Sequence, residues 1–225
     1  MTYNSLHFHG DSSPRSEEEI NIEDFGSDYI FTDKCWKGFP HVDNNEIIQD
    51  CYDATRHIEG TDRSNMGGWQ SEVRPLTSSV FKSSLRYIYD LGSHAVEFAN
   101  RCIKDLHQDA EAHFTMNSAH LWANINKDQS YNVLHSHPGA DLIVLYYALY
   151  EGPDQGVLRL VRSDGSNHTQ TYHNIPNSME YEPQVEQGAF IAFPPHLLHY
   201  VTPNITGRDR ISISFNMSVD YETFD

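Results

Sequence analysis

The 225-residue chain predicts a mainly β protein, an antiparallel sandwich or jelly roll with helices packed along one side, on three observations. First, the stretches "AHLWANIN", "LIVLYYALY", "GVLRLVRS", "GAFIAF" and "RISISFN", all beyond residue 112, are rich in β-branched and aromatic residues. Second, turn sequences such as "EGPDQG" lie between them, with no strand–helix alternation of the parallel-sheet kind. Third, helical periodicity is confined to the part of the chain that precedes them. A chain of this length accommodates one well-buried core. A single domain is expected over residues 25–225, with a helical part at about 43–110 and a β core at about 112–220.

Residues 1–24 are polar, carry the acidic run Glu17 to Glu19 and read as a loose segment or an edge extension, because they offer few apolar side chains to offset the entropy of ordering. From Asp43 the stretch "DNNEIIQDCYDATRHI" begins with a capping residue and predicts a short helix with Ile47, Ile48, Cys51 and Tyr52 turned inward. "GTDRSNMGGWQSE" interrupts that pattern. Its Trp69 and Gln70 follow the Gly67-Gly68 pair, as in a loop reaching over a site or a surface turn anchored by tryptophan. Apolar residues at 81, 85, 88, 95, 99, 102 and 106 then predict an amphipathic helix packed on a sheet, either one long helix or two shorter ones, with a gap at Gly92. Among the later strands, "SDGSNHTQTYHNIPNS" reads as a long connecting loop with His168 and His173 at the surface.

Composition narrows the partners. With 15 Lys+Arg against 32 Asp+Glu the formal charge is -17, which disfavours nucleic acid and anionic membranes, since the basic residues do not cluster. No apolar run approaches the roughly 20 residues of a membrane helix, and the N-terminal residues lack a secretion pattern, so a soluble, cytoplasmic protein is expected. Cys35, Cys51 and Cys102 are odd in number and widely spaced, as reduced thiols are.

The chemistry gathers in two stretches. In "YNVLHSHPGA" (131–140), His135 and His137 alternate; on a strand they would share a face with Cα atoms roughly 6.6 Å apart, close enough for two imidazoles to meet one ion. Such a pair alone does not define a metal site. Sixty residues on, Pro194-Pro195 end an apolar run, His199 begins "HYVTP", and "NITGRD" leads into "RISISFN". A turn centred between Asn204 and Ile205 would set His199 directly opposite Arg210 on the neighbouring strand; a longer turn around Gly207 would shift this by one residue. Arg210, Ser212, Ser214 and Asn216 alternate with Ile211, Ile213, Phe215 and Met217. The polar face so formed either meets solvent or, inside a small barrel, makes a carboxylate receptor from a guanidinium fork and two hydroxyls.

His-x-His, a distant histidine and, after ten intervening residues, arginine within Arg-x-Ser resemble the iron(II)- and 2-oxoglutarate-dependent oxygenases. With "GGWQS" upstream, "HSHPGADLIVLYYALYEG" and "FPPHLLHYVTP" are similar to small members of that superfamily from phage and marine bacteria, over roughly residues 64–217. The resemblance implies a double-stranded β-helix, cupin-like, in which His135, His137 and His199 are the metal ligands. It also implies that Arg210 and Ser212 bind the C5 carboxylate of 2-oxoglutarate, with Tyr146 or Tyr147 in contact. The implied reaction consumes dioxygen and 2-oxoglutarate, releases succinate and carbon dioxide, and by default hydroxylates a protein or small-molecule substrate. One position departs from the pattern: the second ligand is usually a carboxylate, and here it is His137. Asp141, past Pro138-Gly139, is the fallback ligand. A further alternative takes His137 as the first ligand and Gly139 as an empty carboxylate position, as in iron halogenases. His196 reads as a rim residue, and Trp69 or Trp122 as an aromatic rim for substrate. The competing functions are a three-histidine cupin-like metalloenzyme that does not use 2-oxoglutarate and a non-catalytic jelly-roll binding module.

Overall fold

The computed structural model describes residues 22–30, 33–107, 113–161 and 180–222. In chain order the elements are β1 (Ile22–Ile30), β2 (Asp33–Pro40), α1 (Asn44–His57), the two-residue strands β3 (Asn65–Met66), β4 (Trp69–Gln70) and β5 (Arg74–Pro75), α2 (Ser79–Ser84) and α3 (Arg86–Leu106). There follow β6 (His113–Asn126), β7 (Tyr131–His135), β8 (Leu142–Leu149), a 3-10 turn (Pro153–Gln155), β9 (Leu158–Val161), β10 (Glu180–Tyr181), β11 (Phe190–Phe193), β12 (Leu198–Val201) and β13 (Arg210–Glu222). The strands form two sheets. The larger runs β1-β2-β11-β8-β13-β6-β4, with β5 also paired to β6; the smaller runs β10-β9-β12-β7-β3. Neighbouring strands in both sheets are antiparallel.

Period-two alternation sorts the side chains of the larger sheet into two cores. Leu121, Ala123 and Ile125 of β6, Val144, Tyr146 and Ala148 of β8 and Ile211, Ile213 and Phe215 of β13 face outward, where Ile88, Leu91, Ala95, Phe98 and Ala99 of α3 and Ile47 and Cys51 of α1 cover them. The alternate residues Ile143, Leu145 and Tyr147 turn inward and meet Leu158 and Leu160 of the smaller sheet. The inward face of β13 is Arg210, Ser212 and Ser214, all buried. A polar strand face that is hidden from water inside a sandwich is what a binding pocket requires.

The helices sit where the sequence pattern leads. Asp43 caps α1 by accepting from the amides of Asn45 and Glu46. Ile47 and Cys51 are buried, while Ile48 and Tyr52 pack on the core from its edge. The break between the two later helices falls at Leu85, which lies between α2 and α3, and Gly92 lies inside α3, where a Cβ would collide with Leu76. Leu85 brings no side-chain cap; Asp50 of α1 supplies one across space, accepting from Tyr87 N (2.8 Å) and Ile88 N (3.0 Å).

Three expectations need correction or fall outside. Of the two readings of the N-terminal segment, loose or an edge extension, residues 22–24 take the second: they open β1, which with β2 extends the larger sheet at one edge; residues 1–21 lie outside the described residues, as do His168 and His173. The hairpin that would set His199 opposite Arg210 does not form, because β12 belongs to the smaller sheet and β13 to the larger. Asn204 explains the crossing. It is fully buried, its side-chain amide donates to the carbonyls of Asn126 and Arg208, and its backbone bonds with Gln129 and Ser130, so the segment is held between sheets instead of closing a tight turn. No helix among the described residues is long and apolar enough to cross a membrane.

Candidate metal and cosubstrate site

His135 ends β7, and the register of the smaller sheet sets it directly opposite His199 of β12. The rings lie 4.2 Å apart between centroids. His137 follows two residues past the strand end, where its amide donates to Pro195 O and its ring stacks on Trp122 of β6 (5.4 Å, 17°). The three imidazoles therefore converge: one ligand atom from each lies within 4.8 Å of the others, and no fourth His, Cys, Asp or Glu among the described residues joins the group.

Hydrogen bonding decides which nitrogen each ring presents. Nδ1–H of His135 donates to Val133 O (2.7 Å) and Nδ1–H of His199 to Leu197 O (3.0 Å); a carbonyl can only accept, so in both rings the lone pair is on Nε2. His137 Nδ1 meets Asn216 Oδ1 at 2.8 Å, which turns its Nε2 toward His199 Nε2 at 3.1 Å. Two lone pairs at that distance repel unless a cation lies between them. Two metal–imidazole bonds of about 2.1 Å at a right angle would put the nitrogens about 3.0 Å apart. Burial also keeps the rings neutral, as ligation requires: it lowers His199 to about 3, with the other two histidines adding to the effect, and His137 to about 4, and it lowers His135 as well. The donor set fits a divalent transition-metal ion.

Arg210 opens β13 and reaches the same pocket from the larger sheet, among Leu145, Tyr147, Leu158, Val201 and Ser212. It is 2 % exposed, and no carboxylate among the described residues pairs with it. Its Nη2 donates to Asn132 Oδ1 (3.1 Å) and Nη1 reaches the carbonyls of Gln155 (3.4 Å) and Gly156 (3.5 Å), while Nε has no partner. Burial pushes its pKa down and the nearby Tyr147 and Tyr150 push it up, but a guanidinium stays charged. An unneutralised buried cation with an idle donor needs an anion. Gly156 keeps the space beside it open: at φ +100, a side chain there would run into Arg210 and the Thr202 carbonyl.

The histidines, Arg210 and Ser212 thus line one pocket, although they come from two sheets. Tyr146 is not part of it. Its hydroxyl donates to Asn44 Oδ1 on the helical side (2.9 Å), and Tyr147, one residue on and one face over, lines the pocket. Asp141 is exposed and outside the histidine group, and Gly139 is a positive-φ turn residue past His137. His196 pairs with Asp33 (3.2 Å), away from the group. Of the two tryptophans, Trp122 lines the pocket, whereas Trp69 packs against the helical core. Asn124, Asn132 and Asn216 were not singled out in the sequence; the alternation that placed Asn216 on the polar face of β13 was the signal for it, and β6 alternates Trp122, Asn124 and Asn126 in the same way.

Residues 120–216 match the profile of the family described as "Putative 2OG-Fe(II) oxygenase". No curated protein matches the chain in sequence. Among solved structures, the Pseudomonas putida prolyl-4-hydroxylase is similar at a TM-score of 0.55 and 11% identity, over 82% of this chain and 91% of that one. The non-heme α-ketoglutarate-dependent epimerase SnoN of nogalamycin biosynthesis is similar at 0.53 and 12%, over 81% and 78%. The carbocyclase SnoK of the same biosynthesis is similar at 0.52 and 10%, over 83% and 80%. These likenesses are of fold, the double-stranded β-helix. The profile match covers the segments that bear the three histidines and Arg210.

Proposed function

We propose that the protein is an iron(II)- and 2-oxoglutarate-dependent dioxygenase that hydroxylates a protein or small-molecule substrate. The observation that carries this reading is the pairing of a convergent three-histidine group with a buried arginine that has no carboxylate partner among the described residues, both lining one pocket. His135, His137 and His199 would hold the iron. Arg210 would receive the C5 carboxylate of 2-oxoglutarate in a charge-assisted pair, with Ser212 and Tyr147 donating beside it. Bound iron and cosubstrate supply the oxidising chemistry, in which dioxygen and 2-oxoglutarate become succinate, carbon dioxide and a hydroxyl group on the substrate. The protein's own part is to hold neutral imidazoles in one tautomer, to orient the dicarboxylate from Arg210, and to keep water out with Leu145, Leu158 and Val201. A peptide or small metabolite suits the acidic chain better than nucleic acid.

The histidine at 137 favours one rival, a three-histidine dioxygenase acting on its substrate without 2-oxoglutarate. Anaerobic titration with iron(II) and then 2-oxoglutarate tests the choice. The expected result is a visible charge-transfer band that needs both, followed by succinate formation in air. In Arg210→Ala the band and the succinate should be lost while iron is retained. Iron uptake with no response to 2-oxoglutarate would overturn the proposal in favour of the rival.

A further inference from the structure

We infer that Asn216 is the positioning residue of His137, the ligand that stands where a carboxylate is usual; this rests on the metal site proposed above. The other two histidines are oriented by main-chain carbonyls two residues before each, Val133 for His135 and Leu197 for His199, a local arrangement that the strand itself supplies. His137 has no such partner. It lies past the end of β7, and its Nδ1 is met instead by the side chain of Asn216, 79 residues away in sequence on the larger sheet (2.8 Å). Among the described residues this hydrogen bond and the stacking of Trp122 reach the ring from the larger sheet, and stacking leaves the ring free to turn in its own plane. The amide oxygen of Asn216 removes that freedom and sends the Nε2 lone pair to the point where those of His135 and His199 meet. A ligand on an irregular segment, held from the opposite sheet, also ties the metal to the strand that carries Arg210.

Two near-isosteric variants separate positioning from packing: Asn216→Leu removes the acceptor, and Asn216→Asp keeps it. Titration with Co(II) alone, followed by its visible absorption, should show the leucine variant binding about 10–100-fold more weakly than the wild type, and the aspartate variant within a few-fold of it. Proton spectra of the Co(II) form should contain three shifted, solvent-exchangeable Nδ1–H resonances in the wild type and the aspartate variant and two in the leucine variant. Wild-type affinity in Asn216→Leu, or equal loss in both variants, would overturn the inference. If Asn216→Leu does not fold, the wild-type spectrum decides, and fewer than three such resonances overturns it. Failure of the wild type to bind Co(II) in a His199-dependent way would remove the metal site itself, an outcome distinct from a site that binds but ignores Asn216.

Discussion

Single side chains divide sharply by the face they occupy, and the adjacent tyrosines of β8 make the point testable. Tyr147 lines the pocket beside Arg210, and burial pushes its hydroxyl well above the ordinary range, so it is a neutral donor at any working pH. Tyr146 donates to Asn44 beneath the helices. Tyr147→Phe is therefore expected to weaken 2-oxoglutarate binding by roughly 1.5–3 kcal/mol, the range for a hydrogen bond to a charged group, whereas Tyr146→Phe should leave it unchanged. Calorimetric titration of the iron-loaded, anaerobic protein reads both. The opposite ranking would mean that the sheet presents its other face to the cosubstrate. Spacing together with the family resemblance pointed to the three histidines, Arg210 and Ser212 as candidates. They could not choose between Tyr146 and Tyr147, because both lie within one unbroken apolar run that is buried on both faces and so lacks the polar alternation that marks an inner side.

Elements were legible in proportion to how regular their patterns are. β13 and the stripe of α3 follow their periodicities, β8 is marked by its unbroken apolar run, and the Asp43 cap stands where the sequence placed it. β1 and β2 are hard to read in the sequence because "IEDFGSDYI" and "DKCWKGFP" mix charges and glycine with few apolar residues; β1 is the edge strand, where such composition is usual. Their attachment is partly electrostatic. Asp105, in the last turn of α3, receives Lys34 Nζ (2.9 Å), Trp36 Nε1 (2.8 Å) and Ser27 Oγ (3.1 Å) from the two strands. Burial raises the pKa of this carboxyl, and the three hydrogen bonds and the lysine charge lower it by more, so the net shift is downward. A folded pKa below the unfolded one means that the contribution is complete above the ordinary carboxylate value near pH 4 and is lost as pH falls through the lower folded value. Asp105→Asn should thus be less stable than wild type by about 1–3 kcal/mol in urea at about pH 6, with the gap closing toward about pH 3. A gap that stays constant with pH would remove the charge from the account and leave only shape.

At the scale of the whole molecule the site is a junction between two sheets, which no strand-by-strand reading of the sequence anticipated. Hairpin reasoning set His199 and Arg210 on neighbouring strands, and the segment held by Asn204 instead sends one to each sheet, so they meet face to face across the sandwich. A metal on His135 and His199 would be held by the smaller sheet, and a dicarboxylate on Arg210 by the larger. Bound together they would cross-link the two sheets, and ligand binding to the native state adds stability by mass action, about 2.7 kcal/mol at a hundred times Kd. For a chain of this size each kcal/mol moves Tm by about 2–4 °C, so Mn(II) as a redox-quiet stand-in at such excess should raise Tm by about 5–11 °C, and 2-oxoglutarate at the same excess should add a like increment. The two effects should depend on each other: 2-oxoglutarate alone should give little, because half of its binding site is the metal, and Arg210→Ala should keep the Mn(II) shift while losing the increment from 2-oxoglutarate. Scanning calorimetry of wild type and variant, with each ligand alone and both together, reads the coupling directly. Equal and independent shifts from the two ligands would mean that they bind in separate places, and the junction between the sheets would then not be their common site.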